Sequence, residues 1–444
     1  MTLKKANELL NVIPKLNSHR KFGRVVQVIG LMIESQGPES SIGDVCRIHL
    51  KNGRNESSVV FAEVVGFREE IVILMPYTNI MDISSGCLVE STGKPLEVKV
   101  GMNLIGKVLD AMGNPIDNSA LPKGLSTIRT EQEPPNVMTR KPISEKLAVG
   151  VKAIDGMLTV GNGQRVGIFA GSGVGKSTLL GMIARNTTAD LNVIALIGER
   201  GREVLEFIER DLGPEGLSRT IVVAATSDQP ALMRIKGAFT ATAIAEYFRN
   251  KGMNVMLMMD SVTRVAMAQR EIGLAVGEPP ATRGYTPSVF SILPKLLERT
   301  GTNEVGAITA FYTVLVDGDD MNEPIADAVR GILDGHIVLD RTLANKGQYP
   351  AINVLKSVSR LMNHIASHEH KVAAEKLREL YYTYNKSEDL INIGAYKRGT
   401  SKEIDAAIDF EPHITSFLKQ SYSDNVKMED SIEELIALAS GGGI

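Results

Sequence analysis

"IFAGSGVGKSTLL", residues 168–180, carries one apolar run into another through three glycines, a lysine and a serine. The residues before it, Arg165–Ala170, are strand-like, and those from Lys176 onward have helical texture. Strand, glycine-rich turn and helix, in that order, form a phosphate cradle. Gly171, Gly173 and Gly175 let backbone N–H groups turn inward, with Ser172, Val174 and Thr178 completing the loop. The helix N-terminus adds partial positive charge. Lys176 is placed to reach the β and γ phosphates and Ser177 to offer its hydroxyl to Mg²⁺. The expected ligand is a triphosphate with magnesium. The strict pattern starts with glycine, and here Ala170 holds that slot. Alanine fits if the backbone φ there is negative.

Two further apolar runs end in acids. "NVIALIG" leads into "ERGREV" at 199–204, and ligands of parallel sheets sit beyond the carboxyl ends of the strands. Glu199 is therefore expected near the phosphates, orienting the attacking water, with Arg200 and Arg202 stabilising phosphoryl charge. Position alone leaves open a solvated charge cluster at a helix start. "NVMLMMD" ends at Asp260, a Walker-B-like carboxylate for Mg²⁺ that also suits a helix N-cap. His364, His368 and Glu369 have a zinc-compatible spacing if one helix carries them, but no firm third ligand accompanies them; a solvated helix face is expected.

The 444 residues imply two to four domains, and 43% hydrophobic with 23% charged content indicates a globular chain. A net charge of −3 gives no global pull toward nucleic acid or anionic membrane. Cys46 and Cys87 are expected as buried, reduced thiols, in keeping with the cytosol. No apolar run reaches membrane-spanning length, and the N-terminus lacks the apolar stretch of a secretory signal. Residues 2–13 have the pattern of an amphipathic helix stopped by Pro14. Short β-rich runs from Gly23 to about Val98 suggest a small barrel or sandwich. The proline-rich stretch 120–145 reads as a surface tether. Beyond about 150, strands alternate with helices, the pattern of a largely parallel sheet covered on both faces. Past about 360 only helices are expected, and the tail "GGGI" reads as frayed.

Longer stretches carry a specific resemblance. "GERGREV", "DSVTRVAMAQREIGLAVGEPPATRGYTPSVFSILPKLLERTG" and "AFYTVLVDGDDMNEPIADAVRGILDGHIVLDR" resemble the rotary ATPase α/β family, and within it the type III protein export ATPases, those of the flagellum above all. "GKVLDAMGNPID" at 106–117 is similar to the family's stretch after its N-terminal barrel, with Lys107 where many members have arginine. The resemblance spans nearly the whole chain. It implies an α/β fold: a RecA-like P-loop core with a parallel sheet, preceded by a small N-terminal β-barrel and followed by a helical C-terminal domain. The expected divisions are an amphipathic segment 1–20, a barrel 21–98, an ATPase domain 99–362 and a helical domain 363–444. The resemblance further implies ATP and Mg²⁺ as ligands. Lys176 and Ser177 would be the phosphate lysine and the magnesium hydroxyl, Glu199 the catalytic carboxylate beside Arg200, and Asp260 the Walker B aspartate. Tyr349 of "GQYPAINV" would pack against adenine, and Arg360 of "SVSRLM" would reach a neighbouring subunit's γ-phosphate.

The implied partners are five identical copies completing a homohexamer, a stator-like regulatory protein at the N-terminus, a central stalk-like protein, export chaperones and substrates, and a membrane export gate. The implied location is the cytoplasm, peripheral to the inner face of the membrane at the export apparatus. Injectisome export and a proton-driven ATP synthase β subunit are the neighbouring alternatives. The latter's acidic "DELSEED" stretch is missing where this chain has "YNKSEDLINIGAYKRG". A non-catalytic nucleotide-binding subunit would lack the glutamate of "GER" or have a degraded P-loop, and both are intact here. An RNA translocase of the Rho type would need basic residues interleaved with the aromatics of the first 100 residues; Phe61, Phe67 and Tyr77 lack them, and no nucleic-acid partner is expected.

Overall fold

The computed structural model of the chain describes residues 21–50, 59–78, 82–316, 318 and 320–441. The amphipathic segment expected at 1–20 and the last three residues lie outside them. Two compact units result, one formed chiefly by the residues up to Glu97 and the other by Val98 onward.

The first unit is a closed antiparallel barrel. Its strands are β1 (Phe22–Ile29), β2 (Met32–Gln36), β3 (Asp44–His49), β4 (Val59–Arg68), β5 (Ile71–Pro76) and β6 (Leu88–Pro95), in the order β1-β2-β5-β4-β3-β6. Pairing of Phe22 with Glu90 closes the ring and leaves no free edge. Ile33, Cys46, Ile48, Val64, Leu74 and Cys87 fill the interior. The run "GRVVQVIGLMIES" is a hairpin of two strands, turning at Gly30 with φ +58°. Strand β3 escapes a reading by composition because Asp44, Arg47 and His49 interrupt its apolar residues. Cys46 and Cys87 are both buried, and burial pushes the Cys46 thiol up to about 12.

The second unit is built on a parallel sheet of β7 (Arg165–Ala170), β8 (Leu191–Ile197), β9 (Thr220–Ala225), β10 (Asn254–Asp260), β11 (Ala307–Leu315) and β12 (Gly335–Leu339), ordered β12-β7-β11-β10-β8-β9. These strands are almost wholly buried, as expected when helices cover both faces. The register sets Ala170 beside Leu315, Met259 beside Tyr312, and Leu196 beside Asp260. The ends of β7, β8, β10 and β11 thus reach one rim. The helices used below are α1 (Lys152–Met157), α2 (Lys176–Asn186), α3 (Gly201–Glu206), α4 (Ala231–Arg249) and α5 (Val262–Ala275).

The proline-rich stretch is pinned rather than free. Ser126–Arg129 forms a short strand paired with Glu97–Val100. Arg299, itself 1% exposed, donates to the carbonyl of Thr130 and holds Glu246 of α4 through two nitrogens. Arg140 donates to the carbonyls of Glu298 and Thr300.

Three helices close the chain: α6 (His368–Asn392), α7 (Lys402–Leu418) and α8 (Met428–Ala439). Their Leu377, Ile414, Phe417 and Leu435 share one hydrophobic core with Ile168 of β7 and Leu180 of α2. They grip α1: His370 Nε2 lies 2.6 Å from the Gly156 carbonyl, Arg378 donates to Met157 O, and Lys152 pairs with Glu434 at 2.6 Å. His364 and His368 do not share a helix. Met362–Ile365 is a separate turn, and Ser367 caps α6 by accepting from His370 N–H, so the zinc-like spacing is not realised as a helix face.

Candidate active site

The quoted loop connects β7 to α2. Gly173 has φ +78° and Gly175 φ +85°, a region that side chains disfavour. Ala170 is the buried last residue of β7 and takes no such φ, so the missing glycine costs nothing. Val174 is buried at 1% exposure and anchors the loop from the core side.

A cavity of about 500 Å³ opens at this rim. Gly171, Ser172, Gly173, Gly175, Lys176, Ser177 and Thr178 line one side, and Glu199, Arg200 and Arg264 the other. Lys176 Nζ lies 2.6 Å from Asp260 Oδ1 and 3.5 Å from Glu199 Oε1. Asp260 also accepts from Thr313 Oγ1 at 2.7 Å, which fixes its carboxylate on the sheet. One lysine therefore bridges two carboxylates that come from adjacent strands.

The electrostatics follow from that crowding. Burial pushes the Glu199 carboxyl up, neighbouring Asp260 pushes it further, and Lys176 only partly offsets both; the result is about 7. For Lys176, burial disfavours the charge, but Asp260 and Glu199 outweigh it and raise the pKa. The site thus holds a cation over two acids, one of them poised near neutrality.

The other sequence-predicted residues divide. Arg200 lines the cavity, but its side chain is 82% exposed and 3.5 Å from Glu203. Arg202 pairs with Glu206 on α3 and is not among the lining residues. Tyr349 is 48% exposed, and its Cδ1 lies 3.5 Å from where a Cβ on Gly175 would stand, so its ring borders the loop. Arg360 is exposed and lies outside the cavity of its own chain; its N–H donates to Asp334 O. Arg264, Glu203 and Arg210 line the cavity without having been singled out. Arg264 packs on Gly198, where an added Cβ would come within 2.8 Å of its own Cβ. Its Nε is buried without a hydrogen-bond partner, a donor that suits an anion. The one sequence signal for it was its place one helical turn beyond Asp260.

Comparison with known proteins decides the lineage. Residues 150–359 match the nucleotide-binding domain of the ATP synthase alpha/beta family, 25–93 its beta-barrel domain, and 366–437 the T3SS EscN ATPase C-terminal domain. The chain is 67% identical to the Flagellum-specific ATP synthase of Bacillus subtilis, covering 98% of this chain and 99% of that one. It belongs to the ATP synthase α/β family, in its type III secretion branch. A second relative of this family, the Type 3 secretion system ATPase of Xanthomonas euvesicatoria, is 48% identical over 94% of each chain. The assembled ATPase EscN of enteropathogenic E. coli superposes with a TM-score of 0.88 at 46% identity, covering 94% of this chain and all of that one. EscN is also solved with its central stalk EscO, at a TM-score of 0.86. The family's barrel, parallel-sheet core and C-terminal helices are all present here, and the chain is an ATPase.

Proposed function

We propose that the chain hydrolyses MgATP at the rim of β7, β8 and β10 and, as a ring of six copies, energises protein export through the flagellar type III apparatus. The observation that carries this is Lys176 held between Glu199 and Asp260 at a cavity lined by the glycine-rich loop. The N–H groups of residues 171–177 bind the phosphates, and Lys176 exchanges its carboxylates for phosphate oxygens. Glu199, ionised above about pH 7, orients the attacking water and accepts its proton. Ser177 and Asp260 suit Mg²⁺: the donors are hard oxygens, and no cluster of three His, Cys, Asp or Glu among the described residues offers a competing all-protein metal site. When bound, Mg²⁺ neutralises charge building up on the phosphates. Tyr349 packs on the base. Arg360, exposed and outside its own cavity, serves the neighbour's γ-phosphate, with Arg200 beside Glu199 assisting.

The likeness to EscN, solved with its stalk EscO, supports a central stalk-like partner here. A stator-like regulator at residues 1–20, export chaperones and substrates, and a peripheral place at a membrane export gate complete the reading. No helix among the described residues is long and apolar enough to cross a membrane. The same reading divides the chain after residues 20, 98 and 362. The C-terminal match to the EscN-type domain favours export over proton-driven synthesis. The 67% identity to the Bacillus subtilis protein supports the flagellum rather than the injectisome. The test is complementation in a flagellated bacterium lacking its own copy. The wild-type chain is expected to restore secretion of flagellar proteins into the medium, and Lys176→Ala to restore none while remaining folded. Restoration of injectisome secretion alone would reassign the system, and normal export by Lys176→Ala would refute the site.

A further inference from the structure

Gln420 follows α7 and is 7% exposed. Its backbone N–H donates to the carbonyl of Tyr349 at 2.9 Å. Its side chain reaches back to the loop that enters α1: Oε1 accepts from Lys152 N–H and Nε2 donates to Gly150 O, each at 2.9 Å. That loop is fixed from its other side, because Asp155 accepts the N–H groups of Val149 and Gly150. The residues that follow are held by the far end of the P-loop helix. Arg185 donates to Tyr422 O at 2.6 Å and Asn186 to Asp424 O at 3.1 Å. Three parts of the nucleotide domain therefore converge on residues 420–424.

Two consequences follow from this geometry. The Tyr349 ring is half exposed and borders Gly175, where an added Cβ would just meet it at 3.5 Å. Its backbone, however, is tied to a residue whose own place is set by side-chain hydrogen bonds to Lys152 N–H and Gly150 O. We propose that Gln420 is a positioning residue for the nucleotide base, clamping the Tyr349 backbone so that the ring stays over the entrance beside Gly175. The inference rests on the reading of Tyr349 as the base-packing residue. Gln420 touches no nucleotide; it acts through Tyr349. Loss of its side chain frees residue 420 and lets the ring wander, weakening the base contact and leaving the phosphate cradle intact.

The probes are ATP, a fluorescent ADP analogue, and inorganic tripolyphosphate, which has phosphates and no base. Gln420→Leu is expected to weaken ATP and the ADP analogue about tenfold, the order of one aromatic contact, with kcat within about twofold. Tripolyphosphate competition should stay unchanged. Tyr349→Ala should likewise weaken ATP and the ADP analogue but not tripolyphosphate, and adding Gln420→Leu to it should weaken them no further, because the two act on one contact. Gln420→Met keeps the length of the side chain and loses its hydrogen bonds to Lys152 N–H and Gly150 O; it should match Gln420→Leu, and it serves if the leucine variant does not fold. Equal weakening of ATP and tripolyphosphate would mean a general loss of structure and overturn the proposal. So would effects that multiply in the double variant, or Gln420 variants that bind ATP normally while Tyr349→Ala does not. If Tyr349→Ala binds ATP normally, the base-packing reading itself fails and the inference with it.

Discussion

Glu199 is where the chemistry of single residues is most exposed to test. Its carboxyl is raised to about 7, first by burial and then by Asp260. A water-orienting base must be ionised, and kcat/KM reports groups of the free enzyme. With Mg²⁺ saturating, kcat/KM for ATP is expected to fall about tenfold per pH unit below that value. Glu199→Gln should leave a small residual rate without this acid limb. A wild-type profile flat from pH 6 to 8 would contradict a Glu199 base that ionises near 7. How much was legible varied residue by residue. Lys176, Ser177, Glu199 and Asp260 could be placed because each ends or begins a strongly patterned strand or helix, and parallel pairing brings such ends together. Arg264 could not, since an arginine inside a helix reads the same whether it faces solvent or a cavity. Arg202 shows the converse: its spacing suited the site, yet Glu206, one turn on, captures it at the surface.

Whole elements followed the same logic. Strands β7, β8, β10 and β11 are continuous apolar runs and were readable almost to their ends. Strand β12, "GHIVL", is too short and too interrupted by its histidine to read as a strand, and Pro412 breaks the pattern of α7. Helix α1 is too short to show a helical pattern in the sequence; its Asp155 is 0% exposed. Burial raises that carboxyl to about 7, against the opposing pull of the N–H groups of Val149, Gly150 and Val151. The folded protein therefore holds this proton where the unfolded chain has already released it. Stability from this group is fully present below about pH 4 and is lost as pH rises through about 7. Asp155→Asn removes the titration. Measured against wild type, its Tm should improve between pH 5 and pH 7.5, by several degrees relative to the difference at pH 5. A difference in Tm that does not change with pH would show that Asp155 titrates normally.

At the scale of the whole molecule, the single chain is incomplete as an enzyme in this reading. Its cavity is lined by Lys176 and Glu199, with Asp260 paired to Lys176, while Arg360 stands exposed outside it. Sequence likeness suggested the ring; nothing in periodicity or composition could, because a residue that acts on a neighbouring copy looks like any surface arginine. An arginine supplied in trans can be worth about 10³–10⁵ in rate, so Glu199→Gln and Arg360→Ala should each be nearly inactive alone. The direct test is to mix these two proteins and assemble rings from both. An Arg360→Ala subunit keeps Glu199, and a Glu199→Gln neighbour offers it Arg360. With random mixing about a quarter of the boundaries regain both groups. ATPase activity is expected to reappear, at or below about a quarter of the wild-type rate. Mixed hexamers verified by native mass spectrometry that remain as inactive as either parent would contradict a composite site shared between neighbouring copies.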